Sequence, residues 1–194
     1  MAQHTGHWIV DTSSYDALRR EVLWNGWDWD GAWGDQCWDL CQLLWWSVGR
    51  WVLQTGPHGS AYECWTVSRY VNSQNGTFQL ITDKNQIKRG DVVVFSGGPY
   101  GHIAFADEDY VAGRGYITCV GQNQGGTPYW AGGSECNVTR VSMVILGAFR
   151  YTAWHKPVPP TPPTPPTPTP IKPVGFIPKK STYPWVTMWR YNEK

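Results

Sequence analysis

Long apolar segments, an excess of one charge and any secretion signal are missing from this sequence. No apolar run approaches the roughly 20 residues that a membrane helix needs. The 16 basic and 15 acidic residues give a formal net charge of +1, and no basic face or charge run favours nucleic acid or an anionic membrane as a partner. The first residues contain neither a basic nor an apolar signal segment. We therefore expect synthesis in the cytoplasm, no nucleic-acid partner and no membrane insertion.

Cysteine usage disfavours two further classes of protein. The five cysteines are an odd number and include no Cys-x-x-Cys pair, so neither a disulfide framework nor a zinc knuckle is indicated. A zinc site built from Cys37, Cys41 and Cys64 is also disfavoured, because the spacing of these residues is wrong for zinc knuckles. We expect mostly reduced thiols, which suit a reducing cytoplasm.

Tryptophan, in contrast, is abundant, with 14 residues in the chain. Many of these rings must lie in the core, but so large a number leaves some for a groove that meets a sugar or peptide polymer. Trp33, Trp38 and Trp130 are the candidates for the walls of such a groove, and each of them is alternatively a core residue.

The order of the periodic segments predicts an α+β fold. Helical patterns over 14–24, 36–49 and 60–70 come first, and strand patterns follow. The predicted strands are Phe78–Ile81, Asp91–Phe95, Gly101–Ala106, Tyr116–Val120, Val138–Leu146 and Ala148–Thr152. Helices followed by strands indicate an antiparallel sheet that is covered on one side by the second helix.

Composition divides the chain into three parts. Residues 1–155 carry all the predicted helices and strands and form one domain. Residues 156–174 are rich in proline and threonine and predict a polyproline II linker. Residues 175–194 are aromatic and basic but too few to build a core, so they are either a short tail or the beginning of a truncated C-terminal domain.

Cys37 is the first candidate for chemistry. The helical pattern that starts after Gln36 places Cys37 in the first turn of the second helix, where unpaired N–H groups and the helix dipole lower the pKa of a thiol. A cysteine in this position is either a nucleophile or a small buried residue, and the local sequence leaves both interpretations open.

The loop before this helix has the spacing of a twelve-residue calcium loop. Positions 1, 3, 5, 7 and 12 are Asp28, Asp30, Ala32, Gly34 and Asp39. The match is imperfect, because an EF-hand has glycine at position 6 and glutamate at position 12. The alternative is that the carboxylates belong to a solvated turn and to the first turn of the helix.

A cysteine nucleophile needs an imidazole base, and His102 is the best-placed histidine. It opens a predicted strand directly after a glycine-rich turn, although a buried structural histidine is the alternative. The segment Gln122–Gln124 follows the next predicted strand, so that its amide side chains are within reach of the ring.

Taken in order, these segments resemble the CHAP family, the cysteine, histidine-dependent amidohydrolases/peptidases of bacteriophage endolysins and bacterial wall hydrolases. The motifs are Asp28-x-Asp30-Gly31, Gln36-Cys37-x-Asp39, Gly90-Asp91-Val92, Gly101-His102-Ile103 and Gln122-Asn123. The resemblance spans roughly residues 14–152 and implies a papain-like α+β fold. It also implies peptidoglycan hydrolysis, as an N-acetylmuramoyl-L-alanine amidase or as a D-alanyl-glycyl-type endopeptidase.

The resemblance also implies roles for single residues. Cys37 is then the nucleophile, His102 the base and Asn123 the residue that orients the imidazole with help from Gln122, while Gln36 supports the oxyanion. Many members of the family have glutamate two residues before that asparagine, where this chain has Gly121. Some phage members bind Ca²⁺ beside the cysteine, which here implies a structural ion held by the side chains of Asp28, Asp30 and Asp39 and the carbonyls of Ala32 and Gly34.

The implied biological setting is a phage lysin. Such a protein is made in the host cytoplasm, acts after its release on the peptidoglycan of a bacterium, in particular a Gram-positive one, and is expected to be a monomer. One rival is a wall-binding module that has a CHAP fold but no turnover, for which the missing glutamate and the many tryptophans argue. A cysteine peptidase of ordinary proteins is a second rival, which nothing in the sequence favours.

Overall fold

The computed structural model describes residues 2–124 and 133–155. The helices in these ranges are α1 Tyr15–Val22, α2 Cys37–Gly49, α3 Glu63–Thr66 and α4 Arg69–Asn72. The strands are β1 Gln3–Thr5, β2 Gly26–Asp28, β3 Phe78–Ile81, β4 Val92–Ser96, β5 His102–Ala106, β6 Ile117–Gly121, β7 Asn137–Val141 and β8 Val144–Tyr151. Among these helices, none is long and apolar enough to cross a membrane.

Six strands form one antiparallel sheet in the order β3-β8-β4-β5-β6-β7. The pairing of β4 with β5 places Phe95 opposite His102, and the pairing of β5 with β6 places Phe105 opposite Val120. His102 therefore lies at the end of a central strand, where a side chain can reach the rim of the sheet. The mixture of helices with an antiparallel sheet confirms the predicted α+β class.

Helix α2 supplies the largest part of the core on one side of this sheet. Its residues Leu40, Cys41, Leu44 and Trp45 are all fully buried in one apolar cluster with the side chains of β4 and β5. Burying a leucine or valine side chain contributes about 1.5–3 kcal/mol, so this contact fixes the helix firmly on the sheet. Its N-terminal residue, Cys37, is thereby held at the end of β5.

The start of α2 is defined by a carboxylate cap. The backbone N–H of Gln36 donates to Asp39 Oδ2 over 3.1 Å, which partners a group that the helix itself leaves unpaired. The helix ends at Arg50, whose left-handed conformation closes the last turn. The predicted bounds of this helix are therefore confirmed to within a residue.

Two predicted helices differ in the structure. The first is shorter than predicted and is capped by Ser14, whose hydroxyl accepts a hydrogen bond from the backbone N–H of Ala17. The third is broken into α3 and α4 at Ser68, whose backbone leaves the helical region, with φ −110° and ψ 9°, and whose hydroxyl donates to the carbonyl of Thr55 over 2.6 Å.

Two strand predictions also need correction. The predicted strands Val138–Leu146 and Ala148–Thr152 divide differently in the structure: β7 ends at Val141, and β8 runs without a break from Val144 to Tyr151. The N-terminal strand β1 was not predicted; it pairs in parallel with β2, and its His4 ring stacks on Trp27 with 4.2 Å between the ring centroids. All five cysteines lie in the described ranges and are free, as the sequence predicts.

The predicted division at 155 and 174 concerns residues beyond the described part of the chain. The linker over 156–174 and the tail over 175–194 therefore stay predictions.

Candidate active site

Cys37 lies at the N-terminus of α2 and is half-buried as a residue. The backbone N–H groups of Ile103 and Trp38 favour the thiolate, but burial has the larger effect and raises the pKa of Cys37 to about 11. The lowered pKa that we predicted from the helix terminus is therefore wrong. At neutral pH the residue is a thiol, and it needs a base to become a nucleophile.

His102 lies next to Ile103, the residue whose N–H reaches the Cys37 sulfur. Its side chain is buried, with 6% exposure, and its Nε2 lies 3.1 Å from Gln124 Oε1. Burial lowers the pKa of His102 to about 4, although the hydrogen bond with Gln124 opposes this shift. The imidazole is therefore neutral at neutral pH, as a proton acceptor must be.

The contacts of Gln124 determine which nitrogen of His102 carries the proton. Gln124 Nε2 donates to the carbonyl oxygens of Cys119 and Asn137, over 3.2 and 2.9 Å, and it lies 3.1 Å from Asn137 Oδ1. Three acceptors around one end of the amide identify that end as the NH₂ group, so the carbonyl oxygen faces the ring. A carbonyl oxygen can only accept. Nε2 of His102 therefore donates, and Nδ1 is left as the basic nitrogen.

Cys37, His102 and Asn123 line one cavity of about 900 Å³. Its walls also include Trp33, Trp38 and the glycine-rich turn 97–101 that precedes β5. The cavity is thus bounded by the start of α2 on one side and by the end of the sheet on the other. It brings the two predicted reactive residues together on a surface that is large enough for a peptide.

The orienting contact that we predicted for Asn123 is made by Gln124. Asn123 has a left-handed backbone, with φ 49°, and its Nδ2 donates to Gln36 Oε1 over 2.7 Å. This conformation turns its side chain toward the start of α2 rather than toward the imidazole. Its Oδ1 is buried and has no hydrogen-bond partner.

Gln122, the predicted helper, also has another role. Its side chain is fully buried and bonds to the backbone of Trp27 at both ends, over 2.8 Å each, and its Nε2 also donates to the carbonyl of Gln36 over 3.0 Å. It therefore ties the segment after β6 to β2 and to the start of α2. It makes no hydrogen bond with His102.

Gln36, the predicted oxyanion support, lines the cavity beside Cys37. Its Nε2 donates to the carbonyl of Trp33 over 2.7 Å, and its Oε1 accepts from Asn123. A primary amide has two N–H bonds, so one of them is available to a ligand in the cavity.

The three predicted carboxylates of the calcium loop converge. One oxygen from each of Asp28, Asp30 and Asp39 lies within 4.8 Å of the others. Asp28 Oδ1 is buried without any hydrogen-bond partner. Burial, together with the charges of Asp30 and Asp28, raises the pKa of Asp39 to about 8.

This arrangement fits a hard cation. A buried carboxylate oxygen without a donor costs free energy unless a cation or a proton compensates its charge. Asp39 also accepts from the backbone N–H groups of Trp29 and Gln36, so that an ion at this position would be coupled to the first turn of α2. The carbonyl oxygens of Ala32 and Gly34 stay predicted ligands.

The candidate groove residues differ in their surroundings. Trp33 is 84% exposed at the edge of the cavity. Trp38 also lines the cavity but is half-buried, and its indole N–H donates to the carbonyl of Leu53 over 2.9 Å. Trp130 lies outside the described residues. Of the two described rings, Trp33 has the larger free surface for a ligand.

A match to a family model accompanies this geometry. The model of the CHAP domain matches residues 24–123, which is just over half of the 194 residues and includes both Cys37 and His102. The chain belongs to the CHAP family.

Two named proteins are similar to this CHAP domain. It is 31% identical over 122 residues to the D-alanyl-L-alanine endopeptidase of Streptococcus phage B30, an alignment that covers 59% of this chain and 25% of that protein. The crystal structure of the wild type endolysin LysIME-EF1 is similar with a TM-score of 0.55 and 28% identity, over 71% of this chain and 63% of that one. The chain thus spans about a quarter of the endopeptidase that it matches.

Two residues of the CHAP site were missed by sequence reasoning. Gln124 was one of three amides within reach of His102, and the signal that favours it is the absence of a side chain at Gly121. His58 also lines the cavity, and its Nδ1 lies 2.8 Å from the buried Glu63 Oε1. No motif in the sequence pointed to this pair.

Proposed function

We propose that the chain is a peptidoglycan hydrolase of the endolysin type, which cleaves an amide bond of the bacterial cell wall by acyl transfer from a cysteine nucleophile. The observation that carries the proposal is the shared cavity of Cys37 and His102, with Nδ1 of His102 as the free basic nitrogen. The similarity to a phage endopeptidase and to an endolysin supports the substrate class.

The reaction starts from a neutral pair. Nδ1 of His102 accepts the thiol proton of Cys37 while the sulfur attacks the carbonyl carbon of the scissile amide. The tetrahedral intermediate then collapses, the C–N bond breaks, and the leaving amine takes the proton from His102. A thioester with Cys37 remains. Water, deprotonated by the same nitrogen, hydrolyses it to a carboxylate and restores the thiol.

The oxyanion of the intermediate needs hydrogen-bond donors. The backbone N–H of Cys37 in the first turn of α2 and the second N–H of the Gln36 side chain are the candidates. The Gln36 amide is pre-oriented by its bonds to Trp33 and Asn123, so it loses little freedom when it binds the developing charge.

Among the possible bonds, we favour one within the stem peptide or cross-bridge. The phage relative is a D-alanyl-L-alanine endopeptidase, whereas cleavage between N-acetylmuramic acid and L-alanine is the alternative. Mass spectrometry of digested peptidoglycan distinguishes the two reactions, because an endopeptidase creates a new peptide N-terminus inside the stem or bridge, and an amidase frees the whole stem.

Turbidity loss of Gram-positive cell walls tests the activity itself. Wild type is expected to lyse the walls, and Cys37→Ala to lose at least about 10³-fold of the rate, because it lacks the nucleophile. Cys136→Ala, a change at a buried cysteine that does not line the cavity, is the matched control and should retain lysis. Binding to walls without lysis by wild type would favour the non-catalytic wall-binding module instead.

We further propose that Asp28, Asp30 and Asp39 hold a structural Ca²⁺. The ion supplies positive charge that holds the carboxylates together and so stabilises the loop that leads into Cys37. The buried, unpartnered Asp28 Oδ1 supports this assignment.

The protein would act as a monomer on the wall after synthesis in the host cytoplasm. A peptide from a Gram-positive cross-bridge is the substrate to test first.

A further inference from the structure

Gly121 and Gln124 share one volume beside His102. A Cβ atom built on Gly121 would lie 2.5 Å from Gln124 Oε1 and 3.0 Å from Gln124 Cδ. The first distance is shorter than the contacts that real Cβ atoms make, so the amide of Gln124 occupies the space that a side chain at 121 would need. Gly121 is the last residue of β6, and its φ lies outside the left-handed region. Its conformation alone therefore does not require glycine.

We propose that Gly121 and Gln124 act as one unit, in which the absent side chain at 121 admits Gln124 as the positioning residue that fixes the tautomer and the orientation of His102. This inference rests on the proposed hydrolase function for its kinetic consequences, but not for its structural ones. Asn123 does not take this role in the structure: its Nδ2 donates to Gln36, and its Oδ1 makes no hydrogen bond with the imidazole.

The surroundings of Gln124 explain why an amide is needed at this position. Its NH₂ group faces the carbonyl oxygens of Cys119 and Asn137 as well as Asn137 Oδ1, while its oxygen faces the imidazole. A carboxylate at 124 would place a negative oxygen against these acceptors, and an apolar residue would take a donor away from them and leave the imidazole N–H without a partner. Only an amide satisfies both sides.

The first experiment reads the tautomer without any substrate. In protein labelled with ¹⁵N-histidine, the ring nitrogen shifts of wild-type His102 should show Nε2 protonated and Nδ1 unprotonated at pH 7. Gln124→Ala and Gly121→Ala should both give a mixture of tautomers, the first by removing the acceptor and the second by displacing it. Gln79→Ala, a change at an exposed glutamine of β3, is the matched control and should leave the His102 shifts unchanged. Unchanged shifts in Gln124→Ala would overturn the proposal.

The second experiment asks whether an acceptor supplied from position 121 can replace Gln124. A carboxylate oxygen is two bonds from the Cβ of aspartate, which matches the 2.5 Å from that Cβ to the present position of Gln124 Oε1. In Gly121→Asp combined with Gln124→Ala, the nearest remaining atom is Ala104 Cβ at 3.0 Å, a contact that a shift of a few tenths of an ångström relieves.

The rates of wall lysis should follow these contacts. Gln124→Ala is expected to be about 10- to 100-fold slower than wild type, a part of the about 10²- to 10⁴-fold that a positioned general base supplies. The double variant should recover most of this loss. The acidic limb of its pH–rate profile should lie at higher pH than that of wild type, because a carboxylate beside the imidazole stabilises the protonated ring.

The outcomes separate this proposal from the hydrolase proposal. If wild type does not lyse walls, the hydrolase fails, while the ¹⁵N spectra still decide on Gln124. Wild type that lyses walls, together with a double variant that is as slow as Gln124→Ala and has the same acidic limb in its pH–rate profile, would refute the proposal that Gly121 and Gln124 act as one unit. A thermal melt of each variant identifies those that fail only because they are unfolded.

Discussion

Gln122 and Trp27 are joined by two hydrogen bonds of 2.8 Å, although 95 residues separate them in sequence. The glutamine accepts from the backbone N–H of Trp27 and donates to its carbonyl, much as a neighbouring strand would. The segment that carries Gln124 is thereby attached to the strand that leads into the candidate calcium loop. This side chain couples the two halves of the candidate site, together with the hydrogen bond from Asn123 to Gln36.

Removal of Gln122 should therefore affect both stability and activity. Gln122→Ala deletes three hydrogen bonds of a fully buried amide, each worth about 1 kcal/mol, and leaves backbone groups unpaired. We expect the free energy of unfolding to fall by about 3 kcal/mol in urea denaturation, and the lysis rate to fall even where the variant is fully folded. Gln79→Ala, the exposed control, should change neither quantity. A Gln122→Ala protein as stable as wild type would contradict the proposed coupling.

The buried His102 makes stability depend on pH. Its folded pKa of about 4 lies below the unfolded value of about 6.5, so the unfolded chain takes up the proton first as the pH falls. The contribution of the neutral His102 to the free energy of unfolding is complete above pH 6.5, and it decreases by about 1.4 kcal/mol per pH unit toward pH 4. Between pH 7.5 and 5, His102 should thus cost about 2 kcal/mol of the free energy of unfolding.

The comparison with His102→Asn isolates this effect from other titrating groups. Asp39, whose raised pKa acts in the opposite direction, and the partly exposed His155 are present in both proteins. The free energy of unfolding of wild type minus that of the variant should fall by about 2 kcal/mol between pH 7.5 and pH 5. Urea denaturation at each pH measures it. A difference that is independent of pH would show that His102 titrates normally in the folded protein.

Much of the candidate site could be predicted from sequence because its signals are local. The start of α2 at Cys37 follows from apolar spacing and from the carboxylate at Asp39, which caps the helix within its own turn. The strand that begins at His102 follows from the glycine-rich turn and the apolar run after it. Both features are set by residues within a few positions of each other.

The remaining features depend on contacts that no local pattern encodes. The choice of Gln124 over Asn123 is decided by the empty space at Gly121 and by the left-handed backbone of Asn123. The raised pKa of Cys37 reflects burial against β5, which outweighs the helix terminus. These effects come from the packing of distant segments, so periodicity and propensity leave them undetermined.

Calcium should stabilise the protein and support lysis. A ligand that binds only the folded state adds about 2.7 kcal/mol at a concentration 100 times its Kd, so the melting temperature should rise with added Ca²⁺ and fall in chelator. Lysis should be lost in chelator and restored by excess Ca²⁺. Full activity and an unchanged melting temperature in chelator would remove the metal from the proposal.

A pair of aspartate variants locates that ion. Asp30 is an exposed member of the carboxylate cluster, so Asp30→Asn should reduce the shift in melting temperature without unfolding the protein. Asp83→Asn changes a carboxylate outside the cluster, at the cap of the 3₁₀ turn 84–86. It should retain the full shift. Equal losses in both variants would indicate non-specific screening rather than a bound ion.

Trp33 offers a test of substrate binding that is separate from the chemistry. Its ring is 84% exposed at the edge of the cavity, so Trp33→Ala removes contact area for a ligand but little packing. Trp24 is the matched control, because it is also exposed and also left-handed, with φ 64° against 67°, but does not line the cavity. Both variants should therefore carry a similar backbone cost.

We expect Trp33→Ala to weaken wall binding by about 1–2 kcal/mol, or roughly 5- to 30-fold, since covering an exposed aromatic side chain with a ligand contributes on this scale. The measurement is a pull-down with insoluble walls in the Cys37→Ala background, which prevents digestion during the assay. Trp24→Ala in the same background should bind as its parent does. Equal binding by all three proteins would mean that the wall polymer does not pass over Trp33.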